Sequence, residues 1–220
     1  MPERILTEEK GHRCFAGFYD RLSRRAESTF MREVRPRVQG AARGRTLEIG
    51  LGTGAGLPYY PADVTLVAVE PDPYMFKKAR DNIADLKREV ELQQAPAEDL
   101  PFPGESFDTV VTTLVLCSVT SQMKALGEIK RVLKPGGRYH FYEHVRYRNP
   151  IGGFAQDLVR PIWSQFGGGC SPNRRTWEAI EQAGFDEVSI EHESPIPPIP
   201  PLCFVRPHII GFARKAGESS

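Results

Sequence analysis

A chain of 220 residues with 40% hydrophobic and 26% charged side chains can enclose one full core and is short for two, so a single domain over 1–220 is expected. Its formal net charge of +1 offers nucleic acid no general attraction. No run of 18 apolar residues occurs and Met1-Pro2-Glu3-Arg4 opens no apolar signal segment, so a cytoplasmic protein without a spanning helix is expected, compatible at most with peripheral membrane contact.

Taken in chain order, Phe15, Phe18, Tyr19, Leu22 and Ala26 recur at helical spacing, and Met31, Val34 and Val38 continue the pattern as far as Gly40. Two amphipathic helices are predicted over 1–44, before the first strand. Their aromatic stripe suits core packing, while Tyr19 is also placed to close over a ligand. These first residues are basic, with 11 Lys+Arg against 6 Asp+Glu up to Arg45, which reads as a solvated helix face.

Arg45 to Ile49 is a short apolar strand that carries a carboxylate, Glu48, and then breaks into Gly50-Leu51-Gly52-Thr53-Gly54-Ala55-Gly56. Glycines there accept φ > 0 and let a ligand lie against main-chain N–H groups. A nucleotide-like cofactor fits such a loop. Gly50-x-Gly52-x-x-Ala55 also satisfies the dinucleotide fingerprint, which would make the protein a nicotinamide or flavin enzyme. Glu70, closing the second strand at 64–70, is placed to accept hydrogen bonds from ribose hydroxyls that both cofactors carry. The glycines leave the choice open.

Leu57-Pro58-Tyr59-Tyr60-Pro61 leaves little room for a long helix after the glycine loop. Asp72 caps a helix with Pro73 at its first position and Met75, Phe76, Ala79, Ile83 and Leu86 on its buried face. A short strand over 91–94 precedes the turn-rich loop Ala95 to Pro103, and Thr109 to Val115 is a β-branched run suited to a doubly covered central strand. Met123, Leu126, Ile129 and Leu133 mark a helix stopped by Lys134-Pro135-Gly136-Gly137, with a fifth strand at 138–142 and Glu143 and His144 at its carboxyl end. Beyond Asn149 come a helix over 151–166, a glycine connector to Cys170, a helix from Ser171 to Gly184, a strand at 188–190 and a last strand at 208–215, the final two forming an antiparallel edge pair. Alternating strands and helices predict a Rossmann-like, doubly wound, mostly parallel seven-stranded sheet with an antiparallel last strand. The division expected is a helical cap over 1–44, a cofactor-binding core over 45–148 and acceptor-side helices and edge strands over 149–220.

With these pieces in order, the chain resembles the class I S-adenosylmethionine-dependent methyltransferases (methyltransferase type 11) over nearly its whole length. Glu48-x-Gly50-x-Gly52-x-Gly54 resembles their first motif, Glu70 their ribose-binding acid, Ala97-Glu98-Asp99-Leu100-Pro101-Phe102 their adenine loop and Leu133-Lys134-Pro135-Gly136-Gly137 the turn before their fifth strand. The dinucleotide reading supplies no reason for the acidic loop. A narrower resemblance rests on Leu114 to Val119, Glu143-His144-Val145, Gly169-Cys170, Arg175-x-Trp177 and Val205-Arg206-Pro207-His208-Ile209-x-Gly211. These stretches are similar to the mammalian methyltransferase-like proteins of the endoplasmic reticulum that methylate small alkyl thiols. That implies S-methylation of a small lipophilic thiol with S-adenosyl-L-methionine as cofactor and S-adenosyl-L-homocysteine as product. The mammalian members carry an N-terminal membrane anchor, of which no counterpart is expected here. C- or O-methylation of a quinone, lipid or natural product, and cofactor binding without turnover, are the other readings of the same first half.

The implied cofactor contacts are Glu70 to the ribose, the Gly50, Gly52 and Gly54 backbone to the methionine end, Glu98 to the adenine amine and Glu48 to the ammonium, with Tyr19, Pro71, Ala97, Leu114 and Cys117 completing the set. A thiol acceptor has a pKa near 8.5 and needs only modest help from a base. His144, at a strand's carboxyl end, is the first candidate and His208 the second. Cys14, Cys117, Cys170 and Cys203 lie far apart without C-x-x-C spacing, which predicts free thiols and no metal site. Trp163, Phe166, Ile196, Pro198, Ile199 and Phe204 are candidate walls of an apolar acceptor pocket.

Overall fold

Seven strands join into one sheet: β1 (Arg45–Ile49), β2 (Thr65–Val69), β3 (Val90–Gln93), β4 (Phe107–Thr113), β5 (Leu133–His144), β6 (Glu187–Glu193) and β7 (His208–Arg214). Their order is β3-β2-β1-β4-β5-β7-β6 in a computed structural model that describes residues 30–86, 88–196 and 202–217. The first five strands pair in parallel, and β7 runs antiparallel to both β5 and β6. This is the predicted doubly wound sheet, with β7 as its reversed strand. The earlier of the two helices expected before β1, and with it Tyr19, lies outside the described residues.

Strand alternation sorts side chains between two cores. Leu47, Ile49, Val67, Val69, Val110, Tyr139 and Phe141 face one side, where helix Gln122–Val132 packs through Ala125, Leu126 and Ile129. Leu66, Ala68, Val111, Tyr142 and Ile210 face the other, covered by helix α1 (Met31–Val38) through Met31, Val34 and Val38. Glu48 shares the α1 side and Glu143 the other, so the two carboxylates enter different layers.

After the glycine loop the chain makes only a single 3-10 turn, Leu57–Tyr59, as the prolines dictate. Helix α2 (Pro73–Asp85) starts as expected: the Asp72 carboxylate accepts from the Tyr74 and Met75 amides. Helix α3 is Gln122–Val132, α4 Pro150–Phe166 and α5 Thr176–Gln182.

Several strand ends differ from the sequence reading, β4 running Phe107–Thr113 rather than 109–115 and β6 Glu187–Glu193 rather than 188–190, and two further boundaries have a specific cause. Lys134 to Gly137 is the bulged start of β5, because Leu133 already pairs with Phe107 before Gly136, at φ 74°, shifts the register. Helix α5 begins at Thr176 rather than Ser171, because the chain first makes a turn closed by the Arg174 N–H on the Ser171 carbonyl at 3.3 Å and Arg175, at ψ 60°, is not helical. No helix among the described residues is long and apolar enough to cross a membrane.

Candidate active site

The carboxyl ends of β1, β2, β4 and β5 meet along one edge, where ligands bind in open parallel sheets. Gly50, at φ 68°, turns the chain out of β1; a Cβ on it would lie 2.5 Å from the Val115 side chain, so the loops after β1 and β4 touch. Gly52, at φ 60°, has no atom of the described residues within 4 Å of where its Cβ would be. That open space beside backbone amides suits a ligand.

Glu70 fastens the loop. Its carboxylate accepts from the Gly52 amide at 2.8 Å and the Asp72 amide at 2.9 Å, and a carboxylate with two such bonds has lone pairs left for hydroxyl donors. Burial pushes its pKa up to about 7 against the pull of those two amides. Glu48, on the opposite face of β1, accepts from the Gln39 amide group at 3.2 Å, and the Arg35 guanidinium, Gln39 and Glu48 all crowd one side of Gly56. Helix α1 thus supplies partners that the sequence reading missed, because nothing in the spacing of Arg35 and Gln39 ties them to β1.

Beyond β3, Ala97 is buried in the core that Ile49 and Val69 also enter, and the adjoining chain is pinned by Glu128 accepting from the Leu100 amide and by Arg131 donating to the Leu100 and Phe102 carbonyls. The Glu98 carboxylate, expected at an adenine amine, accepts from the Thr120 and Ser121 amides at 2.7 and 3.1 Å. It ties the loop to the start of α3. Pro71 sits next to Glu70, and its carbonyl accepts from the Gln94 side chain.

A third buried carboxylate, Glu143, holds the loop after β4. It has no exposed surface and accepts from Thr112 Oγ1 at 2.9 Å, the Val115 amide at 3.0 Å and the Cys117 amide at 3.3 Å. Burial raises it to about 7 against those donors. Leu114, bracketed by these bonds, takes φ 60°, uncommon for a bulky side chain and frequent where a site stores strain. Glu143 was legible in principle, since it ends an apolar strand as Glu48 and Glu70 do.

The cysteines are not scattered. Gly168 and Gly169, at φ 60° and 82°, turn the chain after α4 so that Cys170 comes back to the loop after β4, where Ser171 bonds Cys117. His144 Nδ1 lies 3.5 Å from Cys170 Sγ and 3.8 Å from Cys117 Sγ, and the three atoms fall within 4.8 Å of one another. Cys117, Cys170 and Cys203 are free thiols, as expected, and the first and second of them, far apart in sequence, meet at His144. The proximity of the two thiols raises Cys117, which is also buried, and lowers Cys170, which His144 lowers further, while the Cys117 thiol itself donates to the Leu114 carbonyl at 3.4 Å. Cys117 and Cys170 are buried and His144 half-buried.

His208 is placed differently from the second base expected. It is fully buried, with Nδ1 2.8 Å from the Arg206 carbonyl, its ring stacked 4.7 Å from Tyr142 and tilted at 4.5 Å from His144. Burial holds its pKa well below the usual imidazole range, and lacking exposed surface it backs His144. Of the expected pocket walls, Ile196 is buried and Trp163 and Phe204 half-buried, while Pro198 and Ile199 lie outside the described residues. Exposed on α4 are Ile151, Phe154, Leu158 and Ile162.

Comparison with known proteins decides among the cofactor readings. Residues 47–141 match the family model described as a methyltransferase domain. The human thiol S-methyltransferase TMT1B is 38% identical over 206 residues, covering 88% of this chain and 81% of its own. The chain belongs to the S-adenosylmethionine-dependent methyltransferases. The human thiol S-methyltransferase TMT1A is 36% identical over 176 residues, 77% of this chain and 70% of its own. Among solved structures, a methyltransferase from Thermotoga maritima described as a possible histamine N-methyltransferase superposes with a TM-score of 0.67 at 24% identity, covering 91% of this chain and 98% of that one. The cofactor of this methyltransferase is therefore S-adenosylmethionine, and the open face of Gly52 beside the buried Glu70 carboxylate fits its ribose and methionine end.

That fit predicts a separation of effects in Gly52→Ala. With no neighbour to strike, the methyl group should lower stability by only about 1–2 kcal/mol through its left-handed backbone. It occupies the ligand's space, however, so the cofactor dissociation constant should rise at least about tenfold. Thermal melts and calorimetry on one preparation measure both.

Proposed function

We propose that this methyltransferase places the methyl group on the sulfur of a small lipophilic thiol. What carries the reading is the 38% identity to a thiol S-methyltransferase over 88% of the chain. It is supported by the half-buried His144 at the carboxyl end of β5, beside the β4 loop.

The cofactor supplies an activated methyl carbon on a sulfonium, so the protein's work is binding, desolvation and alignment. In this reading Glu70 accepts from the ribose hydroxyls, the Gly50 to Gly54 backbone runs alongside the methionine end, and Glu48, with Arg35 and Gln39 beside it, balances the ammonium. Pro71, Ala97 and Leu114 line the adenosine, and Glu98 fixes the adenine loop through α3. Cys117 and His144 border the acceptor, His208 keeps the His144 ring in place, and the protein works in the cytoplasm. Incubation with methyl-labelled cofactor and a panel of thiols, phenols and quinones should give product on the thiols. Product on phenols or quinones with none on thiols contradicts the reading.

A further inference from the structure

Cys117, His144 and Cys170 form a donor set that the family's methyl chemistry does not call for. From the geometry we infer that these three side chains bind one zinc ion with its fourth position open, and that this position takes the acceptor sulfur. The acceptor role rests on the thiol reading above; the metal site does not.

The separations are those of zinc ligands. At Zn–S of about 2.3 Å and Zn–N of about 2.0 Å, tetrahedral angles put a ring nitrogen about 3.5 Å from each sulfur and the sulfurs about 3.8 Å apart. The observed Nδ1 to Sγ distances are 3.5 and 3.8 Å and all three donor atoms lie within 4.8 Å of one another, so an ion fits once side-chain rotation brings the two sulfurs to that spacing. Two thiolates and an imidazole are a soft set that favours zinc over magnesium or calcium. Three protein ligands and one open position is the arrangement of catalytic zinc rather than of structural sites, which take four.

The surroundings hold the ligands in place. The Ser171 to Cys117 backbone bond fixes the two cysteine segments together, and Glu143, through the Cys117 amide, fixes the loop to β5, the strand that bears His144. The Trp163 indole N–H lies beside Cys170, buried and with no hydrogen-bond partner among the described residues, and Ser118 Oγ lies 3.6 Å from Cys117 Sγ; both can donate to a metal-bound thiolate.

Each cysteine loses its proton to solvent when the ion binds, and so does an incoming thiol, which is then held as a thiolate. Its lone pair forms the new sulfur–methyl bond while the bond from methyl carbon to sulfonium breaks, that electron pair remaining on the sulfur of S-adenosylhomocysteine. The neutral thioether then leaves the ion. On this account His144 is a ligand, and no separate base is needed.

The test is metal content together with cobalt substitution on the full chain. Protein purified with zinc present should retain one ion per chain through dialysis. Cobalt in its place should show the thiolate charge-transfer and visible bands of a tetrahedral site. Cys117→Ser, Cys170→Ser and His144→Ala should each weaken zinc binding about a hundredfold or more, while Cys203→Ser leaves it unchanged. Circular dichroism of each variant separates ligand loss from misfolding. Folded wild type that takes up no zinc, a Cys117–Cys170 disulfide in freshly reduced protein, or equal loss in Cys203→Ser overturns the site. Full thiol methylation by zinc-free enzyme overturns the acceptor role and leaves the thiol reading standing. Zinc bound at these ligands with no thiol product supports the site and contradicts the thiol reading.

Discussion

Glu70→Ala should raise the cofactor dissociation constant at least about tenfold, because under the proposed placement two charge-assisted hydrogen bonds to the ribose, each contributing about 1.5–3 kcal/mol, go with the carboxylate. The same change releases the Gly52 and Asp72 amides, so the loop loses its anchor as well as its acceptor. Unchanged calorimetric binding would remove Glu70 from the site. Its raised pKa adds a second signature. The ionised form is the one that accepts from both hydroxyls, so with a value of about 7 in the free protein, affinity should fall roughly tenfold between pH 8 and pH 6. Glu70→Ala should lack this change, which separates it from the titration of the cofactor's own amine. In ligand-free protein the sign runs the other way. Folded Glu70 keeps its proton up to about 7 while the unfolded chain releases it near 4.5, so its contribution to stability declines as pH rises through that window, by on the order of 3 kcal/mol. Glu70→Gln should flatten that decline in urea titrations.

Glu143→Gln should lower the melting temperature by about 5–10 °C. Both carboxylate oxygens accept from buried donors, Thr112 and Val115 on one and Cys117 on the other, so either orientation of an amide turns an NH₂ toward a backbone N–H. An unsatisfied pair of that kind costs about 2–3 kcal/mol in a chain of this size. Leu114 is held at φ 60° by the same bonds, so the β4 loop should relax and methyl transfer fall with it. A melt within about 1 °C of wild type would show that Glu143 does not hold the loop.

How far these features were legible depends on whether their cause is local. The glycines after Glu48, the Asp72-Pro73 helix start and the β-branched run at 109–115 act through backbone conformation and strand burial, and the sheet followed from them. The bulge opening β5 depends on Leu133 finding Phe107 across the sheet, which spacing does not show. Glu98 and Glu70 look alike in sequence, both acidic and both after a strand. In the fold one carboxylate binds the amides at the start of α3 and the other the amides of the glycine loop. The cysteine and histidine cluster was invisible because Cys117 and Cys170 sit on loops far apart in the chain, brought together by two left-handed glycines and one backbone hydrogen bond.

A crystal structure with S-adenosylhomocysteine bound tests the central claim most directly. The account predicts ribose hydroxyls on Glu70, the amino-acid end along Gly50 to Gly54, and the ligand's sulfur facing Cys117, His144 and Cys170. A ligand whose ribose avoids Glu70, or whose sulfur points away from that cluster, would contradict it.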